Sequence, residues 1–152
     1  MFNITEKEIY DILKKLREQT GIINSMLFTQ DGFIIAIDIA NFNEDGDYFQ
    51  SIAAICAGVI SLAENGLTII KNKNCLKQIK IQAGNQIDDN GFMIILQSIT
   101  NEVMMSVLFP IYLNLGVVLF ELNQTIYKLG EYLSTLTKTD NFDKMGNLVK
   151  LL

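Results

Sequence analysis

The sequence predicts an α+β fold with a central five-stranded antiparallel sheet and helices on both faces. Helical periodicity of apolar residues marks three segments, β-rich runs mark five, and turn signals join neighbouring runs. The run 33–37 is apolar at consecutive positions, whereas a strand with one wet face would alternate. The sheet is therefore expected to be covered on both sides.

The predicted elements follow the order α-β-β-α-β-β-β-α. A capping-box pattern, Thr5 and Glu8, opens the first helix, and Gly21 ends it. The turn 30–32 predicts a hairpin between the first two strands, and the Asn65-Gly66 pair is expected to stop the second helix. The predicted ranges are helices 6–20, 47–65 and 115–136 and strands 22–29, 33–39, 76–83, 92–99 and 102–109.

The length of 152 residues fits one domain with a real core, which we place at 1–136. The remaining segment, 137–152, is predicted to be a loosely docked amphipathic tail, because Gly146 and its short length make an isolated helix marginal. Its apolar residues are helically spaced: Phe142, Met145, Val149 and Leu152.

Composition excludes several classes of function. A net charge of −5 argues against nucleic acid and anionic lipid as partners. The chain has no histidine, which removes His-activated nucleophiles and His-ligated metals, and Cys56 and Cys75 form no CxxC pair. Two free thiols and a polar segment 1–10 unlike a signal peptide predict a cytoplasmic protein.

The segment 103–120 carries no charge and is long enough for a membrane span. Pro110, Asn114 and Gly116 interrupt it, and no Lys/Arg asymmetry marks a cytoplasmic side. We interpret it as a buried strand, a turn and the start of a helix, and we expect no direct membrane insertion.

The second helix spreads apolar residues around nearly its whole circumference, so one face can cover the sheet while another needs a partner. Small residues recur at Ala53, Ala57 and Ser61, where a second helix could approach closely. The alternative is a helix enclosed wholly by its own domain. The candidate interface residues on this helix are Ile52, Ala53, Ile55, Ala57, Val59 and Ile60.

The only basic stretch of the chain contains Lys71, Lys73, Lys77 and Lys80. It could dock an acidic partner surface, or its lysines could guard an exposed strand edge against stray pairing. Both roles are compatible. We include Lys71, Lys73, Lys77 and the neighbouring Ile79 in the candidate interface.

The loop at Asn41, Asn43, Asp45 and Gly46 copies the first half of an EF-hand, but Ile52 stands where the bidentate Glu should be. Calcium binding is not expected. Neither GxxxxGK nor GxGxxG occurs among the ten glycines, so no nucleotide or other cofactor is expected either.

Catalytic carboxylates are scarce in the predicted core elements. Asp38, the nearest candidate, is interpreted as a solvated strand end, not a general base. Arg17, the single arginine, lies near the end of the first helix, where a cation is favourable and its stem can cover apolar surface. The sequence thus predicts a protein that is not an enzyme.

The order of elements resembles that of the Roadblock/dynein light chain family. This family has a profilin-like architecture, and its relatives include the bacterial gliding-motility GTPase-activating protein. The resemblance covers about 6–136. The places that look alike are Gly21-Ile22-Ile23, Asp31-Gly32, the small-residue helix 47–65 and Leu115-Gly116.

This resemblance implies a homodimer, or a heterodimer with a paralogue, in which the second helix and third strand meet their counterparts. It also implies a Ras-like small GTPase as partner, for which the chain would act as scaffold, activator or exchange co-factor. Two alternatives stay open: a ligand-sensing GAF/PAS-like domain, which needs a cavity with convergent polar groups, and a longin/profilin-like trafficking module.

Overall fold

The computed structural model describes residues 4–40, 46–71, 76–84 and 91–138. Its helices and strands follow the predicted order α-β-β-α-β-β-β-α, so the predicted α+β fold is confirmed. In chain order they are α1 (Ile4–Thr20), β1 (Asn24–Thr29), β2 (Ile34–Ile39), α2 (Gly46–Ile69), β3 (Gln78–Ala83), β4 (Phe92–Ser98), β5 (Val103–Pro110) and α3 (Leu115–Lys138).

The five strands form one antiparallel sheet in the order β2-β1-β5-β4-β3. The last three strands of the chain are a meander, as their short links predict. The β1–β2 hairpin turns at Gly32, whose φ is +84° and whose added Cβ would lie 3.0 Å from the Ala54 Cα of α2. Glycine is required there because the positive φ disfavours an L side chain and because a Cβ atom would crowd the backbone of α2.

Helices cover both faces of the sheet, as the unbroken apolar runs predict. On one face α1 and α3 pack together over a core that includes Leu13, Leu122 and Met105. On the other face α2 covers a second core built around Phe28 and Phe49. The sheet is therefore the middle of three layers.

The uncharged segment 103–120 becomes β5, a turn and the first residues of α3, which confirms its interpretation as part of the globular domain. Among the described residues, a different helix is long and apolar enough to cross a membrane, namely Phe49–Ile69 within α2. Here α2 lies on the sheet with one side buried.

The predicted stop of α2 at Asn65-Gly66 is wrong. The helix continues to Ile69, and the backbone turns at Lys71, whose φ is +58°. Gly66 is not in the left-handed conformation that a helix-ending glycine adopts, and its carbonyl accepts a hydrogen bond from the Ile70 amide. One glycine inside a helix costs only about 1 kcal/mol, less than the packing along α2 supplies.

Three predicted features lie wholly or partly outside the described residues: the EF-hand-like loop 41–45, Cys75 and the tail. Helix α3 runs to Lys138, slightly beyond the predicted domain boundary at 136, and the rest of the tail is residues 139–152.

Candidate partner-binding surface

The inner side of α2 belongs to the chain's own core. Phe49, Ala53, Cys56, Ala57 and Ile60 are buried against the sheet. Burial raises the pKa of the Cys56 thiol, because the thiolate would lose its hydration there. This side of α2 holds the helix on the sheet and has no surface left for a partner.

The outer side of α2 is apolar and exposed. Ile55, Leu62 and Ile69 keep 66%, 72% and 80% of their surface in contact with solvent. They lie seven residues apart, which places them in one stripe along the helix, and the smaller Gly58 and Asn65 lie between them. We call these five residues the α2 stripe. None of them is charged, so two such stripes could meet without charge repulsion.

The six α2 residues predicted for an interface divide between the two sides. Ala53, Ala57 and Ile60 lie in the core, and Ile52 and Val59 are partly buried against it. Of the six, Ile55 alone is exposed on the α2 stripe. Ala53 and Ala57 face the sheet, where small side chains let α2 lie close to the strands, whereas Ser61, the next small residue at this spacing, is exposed.

The predicted interface did not include Leu62 and Ile69, which the structure shows to be exposed beside Ile55. The sequence does show that Ile55, Leu62 and Ile69 repeat every seven residues. Apolar residues on the other sides of the helix obscure this repeat. The predicted helix end at Gly66 also placed Ile69 outside α2.

Strand β3 forms one edge of the described sheet. Its isoleucines lie on the sheet face that α2 covers. Ile79 packs partly on the core under α2. Ile81 pairs with Ile94, which contacts the same core, so Ile81 extends the apolar surface of this face while remaining exposed. Among the described residues, β3 has one side that pairs with no other strand, and the α2 stripe is an exposed apolar surface.

Three of the four lysines in the predicted basic stretch lie within the described residues. Lys71 follows the end of α2, and Lys77 precedes β3; both are exposed, as is Lys80 on the strand. Lys73 lies outside the described residues. Between α2 and β3, near Leu76, is a cavity of about 10 Å³, room for about one water molecule.

Arg17 is held by a buried partner. Its Nε donates to Asp38 Oδ2 at 2.6 Å and its Nη2 to Asp38 Oδ1 at 3.3 Å. The hydrogen bond and the carboxylate charge raise the pKa of Arg17. The expectation that Asp38 is a solvated strand end is wrong, because its side chain is fully buried on β2.

Solved structures with this architecture cover nearly the whole chain. MglB of Myxococcus xanthus has a TM-score of 0.74 at 18% identity, with 90% of this chain and 95% of that one covered. The gliding protein MglB of Thermus thermophilus gives 0.73 at 13% identity, covering 87% and 93%. A Roadblock/LC7 domain from Streptomyces avermitilis gives 0.68 at 15% identity, covering 82% and 97%. This chain has the Roadblock/LC7 fold.

The resemblance seen in the sequence is thus confirmed as a likeness of fold. No protein-family model matches the sequence, and a search of curated proteins gives no match. Among the described residues, the α2 stripe is exposed and β3 lies at an edge of the sheet.

Proposed function

We propose that this chain is a non-catalytic, dimeric adaptor of the cytoplasm that binds a Ras-like small GTPase. The observation that carries the proposal is the uncharged, exposed α2 stripe beside the open β3 edge, in a chain with the Roadblock/LC7 fold. The dimer can be a homodimer, which is the form tested below, or a heterodimer with a paralogue.

In the proposed dimer the α2 stripes of two copies pack together and their β3 strands pair, joining two five-stranded sheets. Burying a large aliphatic side chain contributes about 1.5–3 kcal/mol, and each copy offers three on this stripe. Pairing of edge strands adds main-chain hydrogen bonds and sets the register. Stable interfaces bury roughly 800 Å² per partner, so the α2 stripe and the β3 edge would both have to take part.

The small GTPase enters the proposal through the resemblance to the Roadblock family. The exposed lysines near β3 would favour an acidic partner surface and speed its association. Any effect on hydrolysis would come from reshaping the GTPase's own switch loops, because the single arginine is engaged with buried Asp38 and is not free to act in trans.

The experiment compares binding of purified small GTPases from the source cell, loaded with GDP or with a non-hydrolysable GTP analogue. We expect binding that depends on the nucleotide and weakens with added salt. Charge reversal at Lys71 and Lys77 should slow association, whereas Lys15→Glu on α1, another exposed lysine, should not. Equal absence of binding in both nucleotide states would contradict the proposed partner.

The cavity between α2 and β3 gives no support to the alternative function, a ligand-sensing domain. Its volume of about 10 Å³ is far below the 300 Å³ or more of usual ligand pockets.

A further inference from the structure

The last part of α2 extends beyond the core that buries the rest of the helix. Up to Ile60 the inner side of α2 is buried, whereas no residue of 61–71 is buried among the described parts of the chain. Leu67 lies seven residues after Ile60, on the same side of the helix, yet it is partly exposed. We call residues 61–69 the α2 end. The inner side of α2 thus continues past the surface that buries it.

The α2 end projects past the β3 edge of the sheet. Near the start of α2, the Gln50 side chain donates to the Gly32 carbonyl at the β1–β2 turn, at 2.7 Å. Farther along, Ile60 lines the small cavity with Ile79 of β3 and Leu96 of β4, so the helix crosses the sheet towards β3. The nine residues that follow Ile60 add about 14 Å of helix. Because neighbouring strands are only about 4.8 Å apart, the α2 end reaches beyond β3.

The sheet face under α2 is open where β3 and β4 run past the helix. On β4, Leu96 is buried, Ile94 is partly buried and Phe92 is 45% exposed. On β3, Ile81 pairs with Ile94 and is 40% exposed. We call Ile81, Phe92 and Ile94 the open patch. Burial therefore falls along the strands with distance from α2.

The residue pattern of β3 indicates which of its faces is covered. Its isoleucines lie on the α2 face, and Gln78, Lys80 and Gln82 lie on the opposite face. A strand with one buried and one wet face alternates in this way. The α2 face of β3 is therefore the face expected to be covered, although the described residues leave Ile81 exposed.

A second copy brings the α2 end and the open patch together. Antiparallel pairing of two β3 strands places a two-fold axis perpendicular to the sheet, which keeps both α2 helices on one face. The same axis sets the Gln78 end of one β3 beside the Ala83 end of the other. Since α2 crosses its own sheet near Gln78, the α2 end arrives over the open patch of the second copy.

Size and charge also favour a second copy as the occupant. The α2 stripe alone presents three large side chains, few for the roughly 800 Å² per partner that a stable interface buries. Leu67, the exposed Ile70 and the open patch more than double that number. The open patch carries no charge and the α2 end carries only Glu64, so the two surfaces do not repel each other.

We propose that the α2 end of each copy lies across β3 and β4 of the other, where Leu67 covers Ile81 and Phe92. Each copy then completes the core of its partner. This inference rests on the proposed dimer and specifies a contact between a helix and the partner's sheet, beyond the contact between the two α2 stripes.

A tryptophan at Phe92 can report this contact, because the sequence contains no other tryptophan. Phe92→Trp chains are exchanged with an excess of a second chain that lacks the reporter. With wild-type chains in excess we expect blue-shifted emission and weak quenching by acrylamide. With Leu67→Lys chains in excess, emission should move to longer wavelength and quenching should rise several-fold. The matched control is Val117→Lys on α3, also an exposed apolar residue, which should leave the emission unchanged.

Light scattering on the same mixtures separates this inference from the dimer itself. A reporter that stays shielded by Leu67→Lys partners in a dimeric mixture would overturn the inference and leave the dimer standing. Shielding that persists in a monomeric Phe92→Trp, Leu62→Glu chain would show that the chain covers its own patch, and would overturn it too. A monomeric wild type would instead contradict the proposed dimer and the inference with it. Leu67→Ala repeats the test with a milder change where Leu67→Lys chains do not fold or pair.

Discussion

Arg17 and Asp38 form a two-point ion pair that joins the last turn of α1 to β2. The Asp38 carboxylate is buried, whereas the Arg17 guanidinium reaches the surface with 22% of its side chain exposed. A buried carboxylate needs a partner, because removing it from water without compensation costs several kcal/mol. The pair therefore fixes α1 against the sheet.

Arg17→Ala should lower the free energy of unfolding by about 3 kcal/mol, because it leaves Asp38 buried and unpaired. The sequence alone suggested a smaller loss. Urea denaturation measures the difference. The double variant Arg17→Met with Asp38→Leu should recover most of the stability; a double variant as unstable as Arg17→Ala would contradict the pairing argument.

The same arginine tests the mechanism if a GTPase partner is found. Arg17→Ala should keep partner binding and most of any stimulated hydrolysis, measured at a temperature where the variant is folded. Loss of a donated arginine finger would lower the stimulated rate about a thousandfold. A fall of that size with binding intact would show that Arg17 acts on the GTPase.

Local patterns predicted the order of elements, since each helix and strand has its own periodicity and turn signals. Asp38 shows where local patterns end: its partner is 21 residues away and reaches it only after α1 packs beside β2. Likewise, a helix apolar on nearly all sides does not reveal which side meets the sheet. Tertiary packing placed Ala57 inside and Leu62 outside.

Gly66→Ala should stabilise the protein by about 1 kcal/mol. The residue lies inside α2 with ordinary helical φ, and an added Cβ meets nothing within 4 Å. Thermal denaturation in a monomeric Leu62→Glu background separates this effect from dimer formation. If Gly66 were the helix stop that the sequence suggests, alanine there would destabilise the chain. The sign of the change in stability therefore distinguishes a glycine inside the helix from a glycine that ends it.

Gly32→Ala should have the opposite sign and cost more than about 1 kcal/mol. Its φ of +84° disfavours an L side chain, and the new methyl would press on the backbone of α2 at Ala54. Chemical denaturation compares it with Gly66→Ala as the matched glycine control. An unchanged unfolding midpoint for Gly32→Ala would mean that the hairpin turn is not held against α2.

Cys56 predicts a pH dependence. Burial raises its pKa above the ordinary value of 9.0, so the folded state holds the thiol proton more tightly than the unfolded state. Its contribution to stability is complete below pH 9 and declines as the pH rises towards the folded-state pKa, by at most about 1.4 kcal/mol per pH unit. Cys56→Ala should reduce this alkaline loss; the same slope in both proteins would contradict the burial of the thiol.

The central claim is that the α2 stripe holds two copies together, and molar mass by light scattering tests it most directly. At micromolar concentration the wild type should have twice the monomer mass of 17.1 kDa. Leu62→Glu should be a folded monomer, because an unpaired charge in a desolvated interface costs several kcal/mol. Val117→Glu, an exposed apolar residue on α3, should remain dimeric. A monomeric wild type, or a Leu62→Glu dimer, would contradict the account.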